Sequence, residues 1–159
     1  ISIYASGCSD TYHFCKPLLQ DFAHHLHYLG KFGNGTKMKF VANLLVAIHN
    51  VATAEAMLLG KGCGLDPQEI CETISTGAGS SKIFELRAPL MAEQEFDPPT
   101  MRLDLWQKDM ELISDFISES GVSTPLFNAT SSIYEAANQQ GLGQQDTAAI
   151  YTVMDKLTD

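Results

Sequence analysis

Gly30-Lys31-Phe32-Gly33-Asn34-Gly35-Thr36-Lys37-Met38-Lys39-Phe40-Val41-Ala42-Asn43 leads into an apolar run that continues to Lys61. Glycines at 30, 33 and 35 permit backbone that other residues resist, and let chain or ligand come close. From Thr36 the pattern predicts one helix to about Lys61, about 26 residues or roughly 39 Å long. Phe40, Val41, Leu44, Leu45, Val46, Ile48, Val51, Ala54, Met57 and Leu58 cover most of its circumference. A helix apolar all round is expected to be buried all round. Gly62 and Gly64 end it. The expected fold class is mainly α, with the other helices packed on this one.

Lys39 and Asn43 stand one turn apart on that helix and share a face, so both can reach one small molecule. A lysine carried into an apolar helix can donate or accept a proton, because burial lowers its pKa. Spacing alone is also consistent with a solvated lysine in a first turn, beside Lys37.

Downstream, Asp66-Pro67-Gln68-Glu69 reads as a helix start, with Asp66 capping, Pro67 in the first turn and Glu69 completing a capping box. That helix runs to about Ser75. Gly77-Ala78-Gly79 is a loop, and Ser80 or Ser81 caps a helix to about Met91. Pro98-Pro99 breaks the chain before a helix from Leu103 to Ser120 with Leu105, Trp106, Met110, Leu112, Ile113 and Phe116 inward. Pro125 opens a helix to about Gln140, and Gln145 or Asp146 opens a last one to Leu157. Upstream, Ile1 to Tyr4 suits a strand, and Asp10 to about Phe22 a helix capped by Ser9 or Asp10. That helix holds Phe14, Leu18, Leu19 and Phe22 on one face and is started late or kinked by Pro17. His25 to Leu29 alternates like a second strand.

The chain has 159 residues, and its net charge of −9 argues against non-specific nucleic-acid binding. Cysteines at 8, 15, 63 and 71 form no Cys-x-x-Cys pair and are expected as reduced thiols, with no sign of secretion. The run from Phe40 to Gly60 has transmembrane length, yet Asn43, His49, Asn50, Thr53 and Glu55 interrupt it, so no membrane span is expected. His13, His24, His25 and His27 complete no metal-ligand spacing with a carboxylate or cysteine, so no metal is expected; His49 is expected as a hydrogen-bonded core residue.

Gly33, Gly35, Lys39 and Asn43, in the pattern Gly-x-Gly-x-x-x-Lys-x-x-x-Asn, resemble the β-hydroxyacid dehydrogenase family, which includes 3-hydroxyisobutyrate dehydrogenase. Thr53-Ala54-Glu55-Ala56, Gly64-Leu65-Asp66-Pro67, Gly77-Ala78-Gly79-Ser80-Ser81, Lys108-Asp109 and Gly141-Leu142-Gly143 extend the resemblance over nearly the whole chain. It implies a C-terminal helical domain of the 6-phosphogluconate-dehydrogenase-like fold at residues 36–159, serving substrate binding and dimerisation. Residues 1–35 would be the incomplete tail of a Rossmann nucleotide-binding domain, whose Gly-x-Gly-x-x-Gly and Ser-Gly-Gly segments do not occur here.

The resemblance further implies an NAD- or NADP-dependent oxidoreductase interconverting a small β-hydroxyacid and its semialdehyde or keto form. Lys39 would be the proton donor and acceptor, and Asn43 would hold the substrate oxygen or orient the lysine. Gly33, Gly35 and Lys108 would approach the cofactor, and Asp109 would tether Lys108 or Lys39. Met101 stands where such enzymes often carry a Phe near the nicotinamide. Ser80 and Ser81 are read either as a plain helix connection or as binding a substrate carboxylate at the following helix N-terminus. Arg87 is the internal cation most eligible for an anionic substrate. A homo-oligomer, dimer or tetramer, through the helical domain and a cytoplasmic or organellar-matrix location are expected, with little turnover from this chain alone. The competing expectation is a non-catalytic helical dimerisation or scaffold domain.

Overall fold

The computed structural model describes residues 1–157. The chain divides into two units, Ile1–Asn43 and Leu44–Asp159, and the division falls inside a helix.

In the first unit, strand β1 (Ser2–Ala5) and strand β2 (His25–Tyr28) pair in parallel, with Ser2 opposite His25 and Ala5 opposite Tyr28. Helix α1 (Ser9–Gln20) makes the crossover that a parallel pair requires. The N-cap of α1 is Cys8, not Ser9 or Asp10, and no side chain caps it. Pro17 lies within α1, and the apolar face expected there is outward, with Phe14, Leu18 and Phe22 all exposed. Tyr12 stacks on Tyr28 at 4.6 Å between ring centroids, and the Tyr28 hydroxyl donates to Gly7 O at 2.7 Å. These contacts tie the crossover to the second strand.

Helix α2 runs Asn34–Gly62, beginning before the predicted Thr36. Gly35 falls inside its first turn, where its N–H donates to Ser6 Oγ at 3.0 Å. A side chain at Gly35 would collide with the Tyr4 carbonyl oxygen of β1, so glycine is what allows helix and strand to meet. The expectation that α2 is buried all round is not met. Ala47, Asn50, Val51, Thr53, Ala54 and Met57 are buried, whereas Val41, Leu45 and Leu59 are exposed. By length and composition α2 could cross a membrane, but two of its interrupting polar groups, Asn50 and Thr53, are spent on protein partners. Asn50 Nδ2 donates to Tyr134 Oη at 3.0 Å and to Thr147 O at 2.9 Å, and Thr53 Oγ1 donates to His49 O at 2.7 Å.

The second unit is helical: α3 (Pro67–Ser75), α4 (Lys82–Glu93), α5 (Leu103–Ser120), α6 (Pro125–Gln139), a 3-10 turn over Thr147–Ala149, and α7 (Ile150–Asp155). Asp66 Oδ1 accepts the N–H groups of Gln68 and Glu69, and Ser81 Oγ accepts that of Phe84, so both helices start where their caps were read. α4 continues past Pro89 and closes at Gln94 in the left-handed region, φ 55. On α5 the core face is Leu103, Trp106, Met110 and Ile113; Leu105 and Leu112, expected inward, are exposed. Asp146 caps the 3-10 turn through Ala148 N–H rather than α7 itself. The phenol of Tyr134 is fully buried, accepting from Asn50 and donating to Ala47 O at 3.2 Å, and burial pushes its pKa far up.

Candidate functional site

The residues singled out in the sequence divide between the two units. In the first, Gly33 has φ 90 with nothing within van der Waals reach of a Cβ there, and Gly35 is packed on β1. Lys39 is exposed and Asn43 half-buried, one turn apart on α2, and Lys37 is exposed. Lys39 is therefore not sunk in apolar surroundings within this chain, the solvated position that its spacing also allowed.

In the second unit, Lys108 is exposed and Asp109 half-buried on α5. Met101 is partly exposed at the head of the segment leading into α5. Ser80 and Ser81 stand at the N-terminus of α4, where the first-turn N–H groups have no acceptor within the helix. Ser81 serves as the cap. Ser80 Oγ is buried and has no hydrogen-bond partner. A cavity of about 430 Å³ lies against this pair, lined also by His49, Ala52, Thr53 and Ala56 of α2, Ile74 of α3 and Phe84 of α4. His49, expected as a hydrogen-bonded core residue, is half-buried on the wall of this cavity.

Arg87 requires a correction. It is buried and committed to Asp146, Nε to Oδ1 at 3.3 Å, while its Nη1 donates to Thr100 Oγ1 at 2.6 Å. Asp146 Oδ2 accepts from Thr100 N, Thr100 Oγ1 and Met101 N, and Oδ1 accepts from Ala148 N. Burial, the largest single influence, raises the Asp146 pKa. The Ala148 N–H, the Arg87 guanidinium and the Thr100 and Met101 N–H groups together outweigh it and hold the carboxyl below its usual range. A guanidinium so fully used is a structural clamp on the segment joining α4 to α5, not a free anion receptor. Sequence reading missed this pair because its members lie far apart in the chain; the capping position of Asp146 before Thr147-Ala148-Ala149 was the visible half of the signal.

The cysteines are unpaired: Cys8 and Cys63 exposed, Cys71 buried. The Thr11 N–H at the start of α1 lowers the Cys8 thiol pKa, while burial raises that of Cys71. Among the described residues no group of three or more His, Cys, Asp or Glu side chains is placed to hold a metal ion. His25 and His27 share the exposed face of β2.

The family described as NAD-binding of NADP-dependent 3-hydroxyisobutyrate dehydrogenase matches residues 33–154. Glyoxylate/succinic semialdehyde reductase 2, chloroplastic, of Arabidopsis thaliana is 32% identical over 91% of this chain and 40% of its own length. L-threonate dehydrogenase of Cupriavidus necator is 30% identical over 96% of this chain and 52% of its own length. The crystal structure of a 3-hydroxyisobutyrate dehydrogenase from Salmonella typhimurium superposes with a TM-score of 0.87 at 26% identity, covering 93% of this chain and 52% of that one. A Mycobacterium tuberculosis enzyme of the same name, 24% identical with a TM-score of 0.83, shares the fold. The chain thus spans about half the length of the curated relatives it matches.

Proposed function

Because this chain belongs to the NAD-binding family of 3-hydroxyisobutyrate dehydrogenase-type enzymes, we propose that it is the lysine-bearing, C-terminal part of an NAD- or NADP-dependent oxidoreductase. Its substrate would be a small β-hydroxyacid or the matching semialdehyde or keto acid, the kind of compound its relatives' names describe. The observation that carries this reading is Lys39 and Asn43, one turn apart on α2, in the family-matched stretch that begins at Gly33.

Oxidation of an alcohol carbon sends a hydride to the nicotinamide, chemistry that the cofactor supplies when bound. The hydroxyl proton must leave as the hydride goes, and in reduction a proton must reach the forming alkoxide. The Lys39 ammonium serves as that proton donor and acceptor and as the positive charge beside the oxygen. Asn43 holds the oxygen or orients the lysine. The exposure of Lys39 in this chain suits a group completed by further protein.

Lys108 and the open backbone at Gly33 are assigned to the cofactor, Gly35 supporting the turn by its packing on Tyr4. Ser80 and Ser81 are assigned to substrate. Residues 1–35 fit the end of a nucleotide-binding domain and 36–159 a helical substrate and dimerisation domain, in a homodimer or tetramer of the cytoplasm or an organelle matrix. Exposed Leu45, Leu59 and Leu65 support an association through the helical unit. The same leucines favour the second reading, a helical dimerisation or scaffold module without catalysis.

The test is Lys39→Ala in the full-length polypeptide, with Lys39→Arg beside it. Expected is a loss of kcat of about 10²- to 10⁴-fold, with cofactor affinity unchanged and no useful turnover from the 159-residue chain alone. Undiminished kcat in Lys39→Ala would overturn the assignment of the lysine.

A further inference from the structure

Helix α2 begins without a side-chain cap from its own sequence. Gly33, just before it, has no side chain, and the Asn34 amide turns back, its Nδ2 donating to Leu29 O at 2.8 Å. The first N–H groups of a helix have no acceptor within it. That of Gly35 is met from elsewhere in the chain: it donates to Ser6 Oγ at 3.0 Å, a hydroxyl 29 residues upstream on the turn that follows β1. Gly35 is buried, so without that oxygen its N–H would be unpaired and away from water.

Ser6 is itself firmly placed. Its neighbour Gly7 donates its N–H to Gly30 O at 2.7 Å and accepts the Tyr28 hydroxyl on its own carbonyl at 2.7 Å, while Tyr28 stacks on Tyr12 of α1. Gly7 has φ 128, a conformation that side chains resist, which gives the turn a defined course. The start of α2 thus has three ties to the sheet. Asn34 reaches Leu29 after β2, Gly35 packs on the Tyr4 carbonyl of β1, and the Gly35 N–H binds Ser6. Two ties leave a line about which the first turn can swing, and the third stops it. Lys39 stands one turn beyond Gly35 on the same face of α2, and all these residues belong to the unit Ile1–Asn43. Four residues of rise and one extended side chain put its ammonium on the order of 10 Å from the tie, so a swing of about 10° displaces it by about 2 Å. Misplacement by about 1 Å can cost on the order of 10²-fold in rate.

We infer that Ser6 is a positioning residue for the proton-transferring lysine: its hydroxyl caps α2 from the β1 turn and fixes the direction in which Lys39 is presented. This rests on the reading of Lys39 as proton donor and acceptor. It extends that reading to a residue outside the family-matched stretch, which begins at position 33.

The experiment is a kinetic cycle in the full-length polypeptide, with Ser6→Ala and Ser6→Thr each made alone and on Lys39→Ala. Ser6→Ala should lower kcat roughly tenfold with KM little changed. It should also raise the solvent deuterium isotope effect on kcat, because proton transfer is the step that slows. Ser6→Thr keeps the hydroxyl and should restore most of kcat. On Lys39→Ala, Ser6→Ala should cost nothing further, since the tether acts only through the lysine. Circular dichroism and thermal melting show that each variant is folded at the assay temperature; if Ser6→Ala is not, Ser6→Cys, a weaker acceptor, takes its place with the same expectations. The same loss on Lys39→Ala, or a loss that Ser6→Thr does not repair, would make Ser6 a general support of the fold and overturn the inference. Full kcat in folded Ser6→Ala, with Lys39→Ala impaired, overturns the tether and leaves the lysine reading standing. Full kcat in Lys39→Ala overturns both.

Discussion

Replacing Asp146 with alanine removes a carboxylate that is 1% exposed and accepts from three backbone N–H groups, those of Thr100, Met101 and Ala148, besides pairing with Arg87. Arg87 would be left buried without its counter-charge, and breaking a buried pair from one side costs about 3–5 kcal/mol. Domains of this size are stable by only about 5–15 kcal/mol, so between about a fifth and all of the total is at stake. With a urea slope of about 2 kcal/mol/M, the midpoint should fall by about 2 M at pH 7 with the slope unchanged. Arg87→Met should cost less, because Asp146 keeps its backbone donors. The pH dependence follows from the lowered carboxyl pKa. The contribution of Asp146 is complete above the unfolded-state value of about 3.9 and is lost as pH falls through the lower folded value. The gap between parent and variant should hold from neutrality to about pH 5 and close only below about pH 4. A loss under about 1 kcal/mol at pH 7, the scale of an exposed pair, would refute the view that this clamp organises the α4–α5 connection.

Gly35→Ala should destabilise the first unit by about 1–3 kcal/mol, because the added methyl meets a backbone carbonyl; Gly60→Ala should cost less, since it meets only the movable end of Ile70. Chemical denaturation of the two variants compares them directly. Tyr134→Phe should cost about 1–3 kcal/mol by leaving a buried amide donor without its acceptor. In the parent, ultraviolet titration of the five tyrosines should find one phenol that stays protonated well above the usual range until alkali unfolds the chain. Its raised pKa means that this contribution is complete below about pH 10 and is lost only as pH rises beyond. With a disulfide thiol reagent, Cys8 should react first, its exposed thiol having a lowered pKa, and Cys71 last; equal rates would contradict the burial of Cys71.

The local features of this fold were readable from short stretches. Asp66 caps where it was placed, Ser81 is one of the two caps offered for α4, the α3 and α5 boundaries agree, and the strand, helix, strand order of the first residues was legible, though not its parallel pairing. Caps and periodicities are legible because they are settled by neighbours within one or two turns. The family was legible for a related reason: the Gly33, Gly35, Lys39 and Asn43 spacing is a local record of one helix start.

Burial and partnership were not legible in that way. The apolar circumference of α2 suggested burial on every side, yet Leu45 and Leu59 are exposed while Asn50, a polar residue, is among the most buried. Arg87 looked available to an anion until Asp146 was placed beside it, and His49 looked like core until a cavity appeared beside it. Helical periodicity states which residues share a face, but not how much of that face another element covers. Covering, and the matching of a charge or hydroxyl to its partner, depends on segments distant in sequence, and those meet only when the tertiary structure has formed.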